Sequence, residues 1–220
     1  FFVISSDGEM MEGVTHETAS LAGHQKLGRL IVYYDDNKIS IDGPTSLAFT
    51  EDVAARYRAY GWHVQSIDGH DPVAIEEATK QAIAVTDKPS LIVCRTTIGI
   101  GFPGIQGTSA SHSAPVKPEE FAGARVNLKW PHEPFTVPED ILAEWRKVGA
   151  KGQSLYEAWK KRHDAHPQRK AFDLAMKADA SDECLAALAA AKTKFATEKP
   201  KLATRKCSGA VIAAIIDKFP

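Results

Sequence analysis

The sequence predicts an α/β chain: a parallel sheet with flanking helices, followed by a helical connector. Short β-branched or aromatic runs alternate with helical stretches through the first half. Beyond Lys129 the strand-like runs stop and only helical patterns continue. Local start and stop signals bound several of the helices, which fixes the order of the elements.

Phe1–Ser5 is expected as the first strand. Its Phe1-Phe2-Val3-Ile4 opening reads as the middle of a buried strand with no Met or charged leader before it, so the natural N-terminus is expected upstream. A helical run follows over about Met10–Lys26, then strands at Leu30–Tyr34, Trp62–Ile67 and Ser90–Thr96. Between them, Thr50 is expected to cap a helix with Glu51 and Asp52 in its first turn and Gly61 at its end. Asp71-Pro72 supplies an N-cap and a proline at the first helical position for a run to Thr86. Ile98–Pro118 is rich in Gly, Ser and Pro without periodicity, and its place after a strand marks it as a functional loop. Pro131, Pro134 and Pro138 punctuate an extended stretch, and helical patterns follow over Pro138–Val148, Ser154–His166, Arg169–Ala178 and Asp182–Thr197. A last apolar helical run, Cys207–Phe219, stops at Pro220, and a further domain is expected after it.

Composition narrows the function classes. With 220 residues, 44% hydrophobic and 25% charged, the chain can bury a sizeable core and is neither disordered nor fibrous. Lys and Arg number 27 against 28 Asp and Glu, so no global field would draw it to nucleic acid or anionic lipid. No apolar run reaches the ~18 residues of a membrane span. Cys94, Cys184 and Cys207 lie far apart without a C-x-x-C pair, which suggests a reducing compartment, the cytoplasm, rather than a disulfide framework.

Ligands of open α/β sheets bind beyond the carboxyl ends of the strands. Three loops fall there: Ser5–Gly8, Asp35–Asn37, and the long loop with His112. Asp7 is a hard oxygen donor beside Gly8, and the start of the helical run after it would favour an anion such as a diphosphate. Asn37 adds a carboxamide oxygen and Ile39 a backbone carbonyl, a mixture that suits Mg²⁺. Equally, Asp7 and Asn37 taken singly are ordinary turn residues, and His112 an exposed polar one.

Taken together, Ser6-Asp7-Gly8-Glu9-Met10-Met11-Glu12-Gly13 and, thirty positions after Asp7, Asn37 within Tyr34-Asp35-Asp36-Asn37-Lys38-Ile39-Ser40-Ile41-Asp42-Gly43 resemble the thiamine diphosphate fingerprint of the transketolase family. The resemblance continues through His16-Glu17, Ser20–Gly23, Leu27-Gly28, Ala59–His63, Ile67–Asp71, Thr86–Ser90 and Ser111–Pro115, with a weaker echo around Arg205. It implies part of a thiamine diphosphate-binding fold, divided as a diphosphate-binding domain over 1–128, a helical connector over 129–202 and the start of a pyrimidine-binding domain over 203–220. It further implies thiamine diphosphate and Mg²⁺ as cofactors, sugar phosphates as substrates, a homodimer, and transfer of a two-carbon ketol unit between them. Asp7, Asn37 and the Ile39 carbonyl would be the Mg²⁺ ligands, with Gly8 and Asn37 on the diphosphate. His112 would reach cofactor and substrate, and Arg205 would grip the sugar phosphate. Glu12 and Glu17 match glutamates at the family's subunit interface, although Glu12 also suits a helix first turn. His16, His63 and His70 are expected to be structural.

In the family the cofactor's aminopyrimidine is held and activated by the second domain of a partner subunit, so this chain alone is expected to be inactive. Ser6 stands where the family has a glycine, and is expected to crowd the diphosphate or to need a φ that serine disfavours. Ser109 replaces a common histidine and Ser113 a glycine. Two alternatives stand beside the transketolase reading: another thiamine diphosphate enzyme, and a non-catalytic relative kept for binding or assembly.

Overall fold

The structure, a computed structural model, describes residues 1–112, 115–177 and 180–218. The expectations at Ser113, Ala178, Phe219 and Pro220 lie outside the described residues. Residues 1–133 and 134–220 form two compact units.

The first unit is built on four parallel strands, β1 (Phe2–Ser6), β2 (Ile31–Asp36), β5 (His63–Asp68) and β6 (Ser90–Arg95), in the spatial order β1-β2-β6-β5. Helices α1 (Asp7–Met11), α2 (Gly13–His24), α3 (Val53–Ala59), α4 (Pro72–Ala84) and α5 (Pro118–Asn127) accompany the sheet, and a short antiparallel hairpin, β3 (Ile39–Ser40) with β4 (Gly43–Pro44), follows β2. Side chains alternate across the pleat, which sorts the strands' apolar residues into two cores. Val32, Tyr34, Leu91 and Val93 pack with Met10, Ala19, Ala22, Val53, Tyr57 and Trp62 on one face. Ile31, Ile92 and Cys94 pack with Ala78 and Ala82 of α4 on the other. β6 is therefore apolar on both sides, and Leu91 and Ile92, wholly buried, contribute ~1.5–3 kcal/mol each. The Trp62 indole N–H donates to the Ala19 carbonyl at 2.8 Å and ties α2 to the start of β5. Gly28 lets two backbones meet, since a Cβ there would stand 1.9 Å from the Thr86 carbonyl oxygen.

Several local expectations are corrected. Asp52, not Thr50, caps α3: its carboxylate accepts from the Ala55 N–H at 2.9 Å, leaving Glu51 outside the helix to pair with Arg56. The run after Asp7 is two helices, because Glu12 is extended (φ −68°, ψ 135°), while the Thr15 hydroxyl donates to the Glu9 carbonyl at 2.6 Å across the break. Asp7 and Gly8 thus open the first helix instead of preceding it. In the described sheet β1 is an edge strand, with Phe2 61% and Ile4 82% exposed. Asp71 caps α4 as expected, accepting from the Val73 N–H at 2.9 Å.

The second unit is helical throughout its described residues: α6 (Glu139–Ala150), α7 (Gln153–Ala165), α8 (Arg169–Lys177), α9 (Asp182–Glu198) and α10 (Thr204–Ile215), with a 3-10 turn over Ile216–Lys218. His163 joins α7 to α8, stacked on Trp159 with centroids 4.9 Å apart and hydrogen-bonded through Nε2 to Asp173 at 2.7 Å. Ser181 caps α9 by accepting from the Cys184 N–H at 3.1 Å. No described helix is long and apolar enough to cross a membrane.

Candidate functional site

Parallel pairing places Ser6 beside Asp35, Asp35 beside Cys94, and Asp36 beside Arg95. The loops after β1, β2 and β6 therefore leave the sheet from one edge, and the candidate residues of the first unit belong to them.

At the centre is Asp7, 2% exposed. Its Oδ1 accepts from the Tyr34 hydroxyl at 2.7 Å, and its Oδ2 accepts from the backbone N–H groups of Asn37 and Lys38, both at 3.0 Å. These bonds lock the turn after β2 onto the first residue of α1. Lys38 takes up a left-handed conformation (φ 62°), which turns its N–H toward Asp7. Burial raises the Asp7 carboxyl above the ordinary carboxylate value, more than its Tyr34 and backbone donors lower it, and the nearby Asp36 raises it further. Tyr34 is pushed up by burial and then by Asp7, so its hydroxyl remains a donor. Among the described residues no Lys or Arg pairs with Asp7, whereas Asp36 is neutralised by Lys38 at 2.9 Å and Arg95 at 3.4 Å. A buried carboxylate in that state gains from a cation.

Neutral oxygens stand next to it. The Asn37 carboxamide oxygen accepts from the Ile39 N–H at 3.0 Å, and its NH₂ group reaches Asp35 at 3.4 Å, which orients the side chain. Ile39 and Pro44 form a non-hydrogen-bonded pair of the hairpin, flanked by the Thr45 N–H donating to the Lys38 carbonyl at 2.9 Å, so the Ile39 carbonyl points away from β4. Among the described residues no group of three His, Cys, Asp or Glu side chains could hold a metal. One carboxylate, one carboxamide and one carbonyl nevertheless fit a hard cation that takes its remaining oxygens from a phosphate ligand and water. Gly8 is exposed in the first turn of α1, and a Cβ added there would meet nothing within 4 Å, so the space beside it is open.

Ser6 does not need a disfavoured backbone: its φ is −108°. Its N–H and hydroxyl both donate to the Glu9 carboxylate, at 2.6 and 2.5 Å, and this pair holds the Glu9 acid below its usual range. The Ser6 side chain is thus turned toward Glu9.

The loop after β6 is fastened at several points. The Thr96 hydroxyl donates to Asp35, and the Thr97 N–H to His70 Nε2 at 2.9 Å, which gives His70 the structural role expected of it. Gly99, Gly101 and Gly107 all have positive φ, and Asn127 of α5 donates to the Gly101 carbonyl at 2.7 Å. His112 ends a 3-10 turn over Ser109–Ser111, with its N–H on the Ser109 carbonyl at 3.0 Å. Its side chain is exposed and makes no hydrogen bond to Asp7 or Asn37. Glu12, at the break between α1 and α2, and Glu17, on α2, are exposed, while His16 accepts from Arg56 at 2.7 Å. Arg205 belongs to the second unit, exposed in the first turn of α10. The structure therefore brings Asp7, Asn37 and Ile39 together with Gly8 at the start of the same helix, and leaves His112 and Arg205 on separate elements. Sequence reasoning missed Tyr34, whose place at the end of a continuous apolar run marks it only as core.

Comparison with known proteins gives a consistent result. The family model described as transketolase, thiamine diphosphate binding domain, matches residues 1–202. Transketolase 2 of Xanthobacter flavus is 44% identical over the whole of this chain and 33% of its own length, and Transketolase 1 of Escherichia coli K12 is 44% identical over the whole chain and 34% of its own. The crystal structure of a transketolase from Pichia stipitis in complex with sedoheptulose 7-phosphate superposes with a TM-score of 0.79 at 37% identity, over all of this chain and 33% of that one. The chain thus spans about a third of the length of the relatives it matches.

Proposed function

We propose a function from one premise: this chain belongs to the transketolase family, through its thiamine diphosphate binding domain. The protein transfers a two-carbon ketol unit from a ketose phosphate to an aldose phosphate, as a cytoplasmic homodimer. Thiamine diphosphate, when bound, supplies the carbanion nucleophile that breaks and remakes the carbon–carbon bond.

In this reading Asp7 provides the one anionic protein ligand to Mg²⁺, and Asn37 and the Ile39 carbonyl provide neutral ones. Gly8, with open space where a Cβ would stand, admits the diphosphate closely, and Asn37 touches it as well. His112, on a loop of the same sheet edge, hydrogen-bonds the cofactor and a substrate oxygen whose charge changes during reaction. Arg205 offers paired donors to the sugar phosphate. Glu12 and Glu17 face the partner subunit, and the chain divides functionally at residues 128 and 202.

The single observation that supports this most is the buried Asp7 carboxylate, held by three protein donors and by no cation among the described residues. The test is a ketol-transfer assay on the natural full-length protein with a ketose phosphate and an aldose phosphate. Product is expected only when thiamine diphosphate and Mg²⁺ are both present. A well-folded protein that binds no thiamine diphosphate would instead support a relative kept for binding or assembly.

A further inference from the structure

Asp7 has few acceptor positions left. A carboxylate oxygen presents two in-plane lone pairs. Oδ2 spends both on the N–H groups of Asn37 and Lys38 at 3.0 Å, and Oδ1 spends one on the Tyr34 hydroxyl at 2.7 Å. One position remains, on Oδ1. Tyr34 is itself fixed: it is 1% exposed, its ring packs in the core with Val32, Leu91 and Val93, and its place on β2 is set by pairing with strands on both sides. Its hydroxyl can therefore neither swing away nor follow Asp7 if the carboxylate rotates.

We propose that Tyr34 is a positioning residue for the cation: its hydroxyl, by occupying one side of Asp7 Oδ1, directs the remaining lone pair of that oxygen to the metal and makes Asp7 a monodentate ligand through Oδ1. The inference rests on the Mg²⁺ reading of Asp7 and goes beyond it by assigning the oxygen and the residue that selects it. Partners that orient a metal ligand usually change metal affinity by ~10–100-fold when removed.

A control for structural loss is built into the same core. Tyr57 is 2% exposed and packs in the same cluster as Tyr34, but its hydroxyl donates to the Met10 sulfur at 3.3 Å and does not touch Asp7. The experiment titrates Mg²⁺ by calorimetry into the natural full-length protein at fixed thiamine diphosphate, for wild type, Tyr34→Phe, Tyr57→Phe and Asp7→Asn, with thermal melts recorded without metal. Tyr34→Phe is expected to weaken Mg²⁺ by ~10-fold or more, while Tyr57→Phe lowers the melting temperature and leaves Mg²⁺ affinity within about twofold. Replacing Tyr34 by 4-aminophenylalanine, which keeps a donor at the same reach, is expected to stay within ~5-fold of wild type, and it tests the proposal even where the phenylalanine variant does not fold. Mg²⁺ affinity in Tyr34→Phe equal to wild type, or lowered no more than in Tyr57→Phe, would overturn the role of Tyr34 while Asp7→Asn still loses the metal. So would a 4-aminophenylalanine variant as weak as Asp7→Asn. Full Mg²⁺ affinity in Asp7→Asn would overturn the underlying metal reading and this inference with it.

Discussion

Replacing Asp7 by Asn separates the fold from the metal. The carboxamide can keep its oxygen at the Oδ2 position, where two backbone N–H groups wait at 3.0 Å, because the reverse orientation would set donor against donor. Its NH₂ then falls at the Oδ1 position, where it can donate to the Tyr34 oxygen, now 2.7 Å from Oδ1. The fold thus exchanges one hydrogen bond for another, a change of ~1 kcal/mol, and sheds a buried charge whose acid form burial already favours. Stability without cofactor is expected to hold within ~1–2 kcal/mol. The metal fares differently, since an N–H now points where the carboxylate lone pair had been and the only anionic protein ligand is gone. Mg²⁺ affinity should fall by more than the ~100-fold that marks the upper range for orienting partners. Asp35→Asn is the matched comparison: Asp35 touches the site only through the Asn37 carboxamide at 3.4 Å and is otherwise bound to the Thr96 hydroxyl. Its effect should stay below ~10-fold. Calorimetric titration with thiamine diphosphate present, paired with denaturant unfolding of the apo protein, measures both quantities. Equal losses of Mg²⁺ affinity in the two variants would refute the reasoning.

Other outcomes follow from separate parts of the molecule. His112→Ala should lower kcat/KM by ~10²-fold or more with Mg²⁺ affinity unchanged, and near-normal turnover would return His112 to an exposed loop residue. Gly28→Ala would place a Cβ 1.9 Å from the Thr86 carbonyl oxygen, so unfolding should show a loss of ~1–3 kcal/mol or more; Gly149→Ala, with nothing within 4 Å, should gain a few tenths or more. His163, then Arg169 more weakly, holds the Asp173 carboxyl below its ordinary value. A depressed folded value contributes stability that is complete above the unfolded value of 3.8 and is lost as pH falls through the folded one. Wild type should accordingly lose stability below about pH 4 more steeply than Asp173→Asn, and parallel curves would contradict the His163 contact.

The strands were legible because their signal is local: unbroken apolar or aromatic runs in Ile31–Tyr34 and Leu91–Cys94 report a sheet covered on both faces. The Asp71-Pro72 start of α4 was legible for the same reason, as cap and proline act within one turn. α5 was missed, although Pro118 followed by Glu119 and Glu120 is the first turn of a helix, because the glycine-rich loop before it hid the change. The β3–β4 hairpin was missed because two-residue strands leave no period, although its Ile41-Asp42 turn closes on Gly43, a glycine at positive φ (144°). At the site, Asp7 and Asn37 were legible through their spacing and family resemblance. Tyr34 was not, since its role depends on one hydroxyl meeting a carboxylate twenty-seven residues earlier in the chain.

The most direct measurement is a crystal structure of the natural full-length protein grown with thiamine diphosphate and Mn²⁺ in place of Mg²⁺, with the metal located by its anomalous scattering. The account predicts one anomalous peak at the carboxyl edge of the sheet, ~2.0–2.3 Å from Asp7 Oδ1, the Asn37 carboxamide oxygen and the Ile39 carbonyl, with diphosphate oxygens completing the shell. A metal bound elsewhere, or thiamine diphosphate seated without any metal touching Asp7, would contradict it.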